Sequence, residues 1–183
     1  TRVRELSLRL EPGRDRLELS AQVEVAGETL FIDATLPDLH QALQQKLLPF
    51  SVSVQGAIAD SSAVGQVDFN QPAVVVQAEL HGYFPDMNKI HGLGKDLEVP
   101  GELTIRARLS GPFKQLAVED LSANWTGPGS SSVTLDGRIA NVVKLEGAEL
   151  ALTGRLTDAD WLTALLPDSL GTLASAELAA QIN

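Results

Sequence analysis

Residue types capable of catalysis are sparse in this chain of 183 residues. Cysteine is absent, which excludes thiolate nucleophiles, cysteine-based zinc sites and disulfide bonds. The three histidines, His40, His81 and His91, have no metal-ligand spacing such as HExxH and no pair of carboxylates placed with them. We therefore predict that the chain binds no metal and that its histidines lie on the surface.

Motifs of catalysis and nucleotide binding are also missing. The sequence contains no GxSxG element, no phosphate-binding loop and no GxGxxG followed by a helix. The glycines at 92–94 and 127–129 are typical of turns. Acidic residues such as Glu18, Glu24 and Asp136 alternate with apolar residues, which predicts a solvated face rather than a convergent acid–base pair. We predict that the protein is not an enzyme and uses no cofactor.

Charge and composition narrow the choice of partners. The formal net charge is −10 and the isoelectric point is about 4.6, so the chain repels phosphate backbones, and nucleic acid is not an expected partner. Apolar residues make up 44% of the chain but aromatic residues only 4%, so the apolar content is mainly aliphatic. No apolar run reaches the ~18 residues that a membrane-spanning helix needs.

The dominant pattern is the alternation of apolar and polar residues, which places successive side chains on opposite faces of a β-strand. Between Leu17 and Val25 every second residue is apolar, and Gly27 with Glu28 marks a hairpin turn. Similar alternation recurs along the chain and predicts about eleven strands in an antiparallel meander. The inward positions predicted to line an apolar groove are Leu19, Val23, Ile32, Val54, Val76, Ile105, Leu135, Ile139, Leu150 and Leu152.

Three segments depart from this alternation and predict short helices. Residues 37–48 carry leucines at helical spacing, with one proline at the start and another, Pro49, expected to end the helix. Residues 158–166 have a similar pattern ahead of a proline. Residues 85–93 are a weaker candidate because glycines interrupt the pattern.

Two further features interrupt the strands. The apolar parity switches between Val118 and Leu121, which predicts a β-bulge. The segment 126–132, rich in glycine and serine, predicts an exposed hairpin loop. We interpret the two tryptophans, Trp125 and Trp161, as anchors of a core or groove.

An aliphatic face of this extent must be covered. A second sheet, closure into a barrel, or a trough filled by a ligand would each cover it. Inward residues as small as Ala78 and Gly137 favour the trough, because they leave room that a close-packed core would fill. Strands joined in order, in a sheet on the order of 50 Å long at ~4.8 Å per strand, also favour it. We predict an all-β fold: an antiparallel meander of amphipathic strands curved into a taco-like β-groove, with about two or three short helices.

The stretch 118–167 carries Leu-Asp-Gly at 135–137, Leu-Ala-Leu-Thr-Gly at 150–154 and Asp-Trp-Leu at 160–162. Strands of the form LxLxG followed by a short leucine-rich helix resemble the AsmA-like proteins of the bacterial envelope, the group that includes AsmA and TamB. The resemblance implies a periplasmic segment of a long protein anchored in the inner membrane, with a hydrophobic β-groove for phospholipid transport and outer-membrane biogenesis. It carries over no catalytic residues, and the family's N-terminal membrane helix is not seen in this sequence.

These patterns lead to one domain assignment and two functional hypotheses. Strand patterns run to both ends of the sequence, and similar elements begin at residues 36 and 84, so we interpret residues 1–183 as a single β-groove segment of a longer, repeat-built protein. The leading hypothesis is a lipid-binding or lipid-conducting groove, with phospholipid or another acyl-chain lipid and neighbouring segments of the same chain as partners. The alternative is a closed β-sandwich that serves as a structural or protein-interaction module of the cell envelope. A small enzyme on a β-barrel is disfavoured because convergent polar residues are missing.

Overall fold

The computed structural model describes residues 2–11, 16–25, 27–37, 39–89, 99–144, 146–157 and 176–182. These residues form eleven β-strands in one sheet, one α-helix and three 3₁₀ turns. The strands are β1 (Arg2–Glu11), β2 (Arg16–Val25), β3 (Glu28–Leu36), β4 (Leu47–Gly56), β5 (Asp60–Asp68), β6 (Val75–Phe84), β7 (Glu102–Pro112), β8 (Ala117–Thr126), β9 (Ser132–Asn141), β10 (Glu146–Leu156) and β11 (Ala176–Ile182). The helix α1 spans Leu39–Gln45, and the 3₁₀ turns span Met87–Lys89, Phe113–Gln115 and Pro128–Ser130.

The order of the strands in the sheet is their order in the chain, and every pair of neighbours is antiparallel. This confirms the predicted meander, which follows from the connections because antiparallel neighbours need only a turn between them. Among the described strands, β1 pairs only with β2 and β11 only with β10. The sheet is therefore open rather than closed into a barrel.

The two faces of the sheet differ in exposure. We call the face that carries Leu19, Leu80 and Leu150 the inner face, and the opposite face the outer face. Val118 on the inner face is 7% exposed, whereas Val64 on the outer face is 61% exposed. The described strands form one sheet with no second sheet against the inner face, so this difference indicates a curved sheet whose apolar side is concave. The predicted all-β, taco-like fold is thereby confirmed.

The predicted bulge is present in β8. The register of β8 against β9 shifts between Val118 and Leu121, and the register against β7 shifts at the same place. One extra residue therefore lies in the strand, as the parity switch predicts. The bulge keeps Val118 and Leu121 on the inner face and leaves Glu119 and Asp120 exposed.

The first predicted helix is shorter than the sequence pattern indicates. α1 ends at Gln45, and the next residue, Lys46, adopts a left-handed conformation with φ of 54° that stops the helix. Strand β4 then begins at Leu47. Pro49, which the sequence predicts as the end of the helix, lies inside β4 and pairs with β5.

The packing of the helices also corrects the prediction. Ala42 is 5% exposed and faces the protein, whereas Leu43 is 75% exposed, so the leucine spacing does not mark the packed side of α1. The last leucine of that spacing, Leu47, belongs to strand β4 and not to the helix. The predicted helix at 85–93 is a single 3₁₀ turn within the described residues, and the one at 158–166 lies outside them.

A small packed core lies at one end of the strands. Trp125 and Leu156 are 8% and 2% exposed. Four half-buried residues pack against them: Met87, Val99, Leu103 and Val133. Trp125 is a core anchor, as predicted, and Trp161 lies outside the described residues. Most of the inner face remains outside this cluster and is only half-buried.

The connection between β8 and β9 is not the fully exposed loop that its composition predicts. Gly129 and Ser130 are exposed, but Ser131 is completely buried. The Ser131 hydroxyl accepts a hydrogen bond of 2.9 Å from the backbone N–H of Thr157. This connection therefore ties the start of β9 to the end of β10 through a polar contact that glycine and serine content does not reveal.

Candidate functional site

Strand register aligns the inner-face residues into rows that cross the sheet. The first row contains only apolar residues, and its members from β2 to β10 are Leu19, Ala34, Val52, Ala63, Leu80, Ala107, Leu121, Gly137 and Leu150. The second row is two residues away along each strand and has one polar member, a serine; it comprises Ala21, Ile32, Val54, Ser61, Gly82, Ile105, Ala123, Leu135 and Leu152. Together they form an uncharged strip along the floor of the trough.

The strip is long relative to a lipid. Eight strand steps separate β2 from β10, and at ~4.8 Å per step the rows extend about 38 Å. The hydrocarbon of one bilayer leaflet is about 15 Å thick, half of the ~30 Å core. An acyl chain lying along the strip would therefore contact several strands without reaching both ends.

The ten residues predicted to line a groove share the inner face and are all half-buried. Two of them lie in the first row, Leu19 and Leu150, and five in the second, Ile32, Val54, Ile105, Leu135 and Leu152. The other three, Val23, Val76 and Ile139, belong to rows nearer the two ends of the strands. The sheet thus brings them together on one surface, and their contact with lipid stays a prediction.

An apolar depression lies on the strip at β4–β7. A depression of about 300 Å³ is bordered by six apolar side chains: Val52, Val54, Ala63, Leu80, Phe84 and Ile105. Two small residues in its lining, Ala63 and Gly82, make room between the larger ones. Four of the bordering residues are not among the predicted groove residues, Val52, Ala63, Leu80 and Phe84, although their inward parity was a signal that could have identified them.

Most charged side chains of the strands lie on the outer face, where some form ion pairs across neighbouring strands, and Glu28 and Glu146 have inner-face parity at strand ends. Arg108 on β7 lies 2.8 Å from Asp120 on β8 and 3.9 Å from Glu79 on β6. Arg138 and Glu149 form a bidentate pair at 2.7–2.9 Å. These pairs are exposed and contribute little stability, but they keep the outer face hydrated. Because the strip on the inner face is uncharged, whereas the outer face is charged, a hydrocarbon ligand suits the inner face.

Groups capable of acid–base chemistry do not converge in the described part of the chain. His40 and His81 are exposed, His40 lies 2.9 Å from the side-chain amide of Gln44, and His91 lies outside the described residues. The described residues contain no group of three or more side chains suited to a metal ion. Tyr83 donates a 2.7 Å hydrogen bond to Glu102, which raises the pKa of Tyr83 above its usual value of 10.0, but this pair stands on the outer face.

Two further findings concern the helices of the described residues and the similarity of the chain to known proteins. Within the described residues, no helix has both the length and the apolar content required to cross a membrane. Comparisons of the chain with protein-family models, with curated proteins and with solved structures find no match.

Proposed function

We propose that the chain is a non-enzymatic groove segment of an AsmA-like protein that binds or conducts lipid. In this proposal it takes part in phospholipid transport between the inner and outer membranes and in outer-membrane biogenesis. The observation that carries the proposal is the strip of uncharged rows on the inner face, which stays half-exposed along the length of the sheet. The resemblance of residues 118–167 to AsmA-like proteins supports it.

The physical argument for an acyl chain is hydrophobic burial. Each methylene removed from water contributes about 0.8 kcal/mol, and the half-exposed side chains beneath it gain in the same way. Strands β2–β10 each have a neighbour on both sides, so their backbone N–H and C=O groups are used in the antiparallel ladder. The strip therefore has few hydrogen-bonding groups for a polar ligand. A hydrocarbon chain loses no hydrogen bonds on entering such a surface.

Conduction along the sheet is supported by the uniformity of the first row. Neighbouring members such as Ala63, Leu80 and Ala107 are all aliphatic, so an acyl chain that moves by one strand exchanges one apolar contact for a similar one. A charged side chain in the row would interrupt this path, because burying an unpaired charge is costly. The row therefore fits a path that a lipid follows, and not only a single binding pocket.

The cellular setting in this proposal is the periplasm, within a longer protein anchored to the inner membrane. Neighbouring segments of that protein would extend the trough by pairing with the open sides of β1 and β11, which have no partner beyond β2 and β10 among the described strands. Such pairing would continue the rows on the inner face.

Site-specific crosslinking tests the proposal. A photo-crosslinking residue at Leu152 lies on the inner face, and the same residue at the adjacent exposed position, Ala151, lies on the outer face of the same strand. We expect lipid adducts at position 152 and none at position 151, with bound phospholipid also detected by native mass spectrometry. Equal adducts at both positions, or no lipid at either, would contradict the proposal.

A further inference from the structure

One end of the strands carries a row of exposed apolar side chains. We call it the α1 rim: the connections β3–β4 with α1, β5–β6, β7–β8 and β9–β10. Its exposed residues are Leu43 (75% exposed), Phe69 (47%), Val74 (42%), Phe113 (72%) and Val143 (63%). The other large apolar residues with high exposure in the described part of the chain, Phe31, Val64 and Tyr83, lie within strands on the outer face. Among the described connections, the exposed large apolar side chains thus lie on this rim.

Backbone hydrogen bonds join the four connections of this rim. The N–H of Phe69 donates to the C=O of Lys46 at 2.8 Å, and the N–H of Phe113 donates to Val74 at 3.3 Å. The N–H of Val142 donates to the C=O of Leu116 at 2.8 Å. Each connection is therefore held against the next, and the six strand steps from the β3–β4 connection to the β9–β10 connection place the apolar tips along about 29 Å at ~4.8 Å per step.

Two of the turns are also fixed by side-chain caps. The carboxylate of Asp68 accepts the N–H of Asn70 at 2.7 Å. The amide oxygen of Asn141 accepts the N–H groups of Val143 and Lys144 at 3.1 and 3.2 Å. Because these turns are already ordered in the free protein, binding of a partner costs less conformational entropy.

Lysines lie beside the apolar tips of the α1 rim although the whole chain is acidic. The protein has a net charge of −10. The described rim connections, 39–46, 69–74, 113–116 and 142–144, contain three lysines and no acidic residue, and the adjoining strand ends carry Asp68 and Glu146. These are Lys46, Lys114 and Lys144, and two of them directly follow an exposed apolar tip in sequence. Within the described residues, no carboxylate forms an ion pair with any of the three.

We propose that the α1 rim docks on the surface of an anionic phospholipid bilayer. Apolar tips insert into the boundary between head groups and acyl chains, and adjacent lysines contact the anionic head groups. An acidic protein would otherwise be repelled by such a surface, so three lysines beside the apolar tips give it one orientation in which approach is favourable. This proposal does not depend on lipid transport by the trough.

Vesicle binding by the full 183-residue chain tests the proposal that the α1 rim docks on an anionic bilayer. The probe is a set of vesicles of phosphatidylcholine with phosphatidylglycerol, compared with vesicles of pure phosphatidylcholine in a flotation assay. We expect binding to the anionic vesicles that weakens as salt rises, because the screening length falls from roughly 10 Å at 0.1 M to 3 Å at 1 M. Replacing Lys46, Lys114 and Lys144 by Gln should weaken binding by roughly fivefold per lysine.

Matched variants separate the rim from general surface effects. Phe69→Ser with Phe113→Ser should weaken vesicle binding about tenfold or more, whereas Phe31→Ser, an exposed phenylalanine on the outer face, should leave it unchanged. Replacing Arg106, Arg108 and Arg138 by Gln removes the same charge from the outer face and should weaken binding far less than the lysine variant. Circular dichroism verifies that each variant is folded.

Several outcomes would overturn the bilayer assignment. It is wrong if the folded parent protein does not bind anionic vesicles, or if the rim variants and the control variants weaken vesicle binding equally. Self-association that the rim variants abolish, without vesicle binding, would assign the rim to a second copy of the chain. The trough is tested separately, because Leu80→Asp should reduce lipid adducts inside the groove without changing vesicle docking. Failure of one proposal is thus distinguishable from failure of the other.

Discussion

Leu19 on β2 and Leu150 on β10 lie in the same row of the inner face, eight strand steps apart, and both are half-exposed. The row between them is continuous because each strand pairs with the next in a register that keeps apolar residues opposite one another. A single core of this length would bury its members, as Leu156 is buried at the end of β10. The inner face therefore combines two environments, a small packed core and a long open strip.

The first prediction compares two leucines of β10. Leu156→Asp places a carboxylate at a position 2% exposed and should cost several kcal/mol, about 3 or more, or prevent folding. Leu150→Asp, like Leu135→Asp, places it on the open strip, where water reaches it, and should cost about 1–2 kcal/mol. Urea denaturation measures both, and native mass spectrometry should show reduced lipid in the Leu150 variant. Equal destabilisation at 150 and 156 would argue for a closed core.

The second prediction concerns Gly137 in β9. A Cβ at this residue would clash with the backbone oxygen of Glu149 on the neighbouring strand, where no flexible side chain can move aside. We expect Gly137→Ala to destabilise the protein by about 1–3 kcal/mol in denaturant titration. The control is Gly27→Asn, at a turn with φ of 89° and no atom within 4 Å of a Cβ, which should change stability by less than about 1 kcal/mol. A neutral Gly137→Ala would mean that β9 and β10 can separate without cost.

The third prediction tests the buried hydroxyl at the end of the trough opposite α1. Ser131→Ala leaves the backbone N–H of Thr157 without its acceptor and should cost about 1–3 kcal/mol. Ser132→Ala, at the adjacent exposed position, should have an effect within about 0.5 kcal/mol. Thermal unfolding of both variants provides the measurement. Similar unfolding temperatures for the two variants would show that the Ser131 contact does not hold the end of β10.

The fourth prediction is a pH dependence. The chain has one tyrosine, so the absorbance of tyrosinate follows Tyr83 alone. Its hydrogen bond to Glu102 raises the pKa of Tyr83, and we expect a titration midpoint above 10.0 that Glu102→Gln moves back toward that value. Because the folded-state pKa is the higher one, the stabilising contribution is complete below the unfolded pKa and is lost as pH rises through the folded pKa. A midpoint at or below 10.0 in the parent would contradict the hydrogen bond.

The alternation of apolar and polar residues was sufficient to predict the strands, their order and the face on which ten groove residues lie. It was sufficient because the two-residue period of a strand is a local property, and an extra residue such as the one at Val118–Leu121 reverses parity visibly. The function proposed for that face could not be read from the same pattern, since alternation says which residues share a face but not what covers it.

The connections, in contrast, depended on tertiary structure. The sequence pattern of 37–48 predicts leucines that pack, yet Leu43 is exposed on the α1 rim and Ala42 is buried. Serine and glycine at 126–132 predict an exposed loop, yet Ser131 is buried against the end of β10. Which end of the sheet a turn occupies, and which turns lie beside it, is set by the pairing of strands far apart in the chain. Local periodicity therefore determined the two faces, and only the assembled sheet decided that the exposed apolar turns among the described residues share one rim.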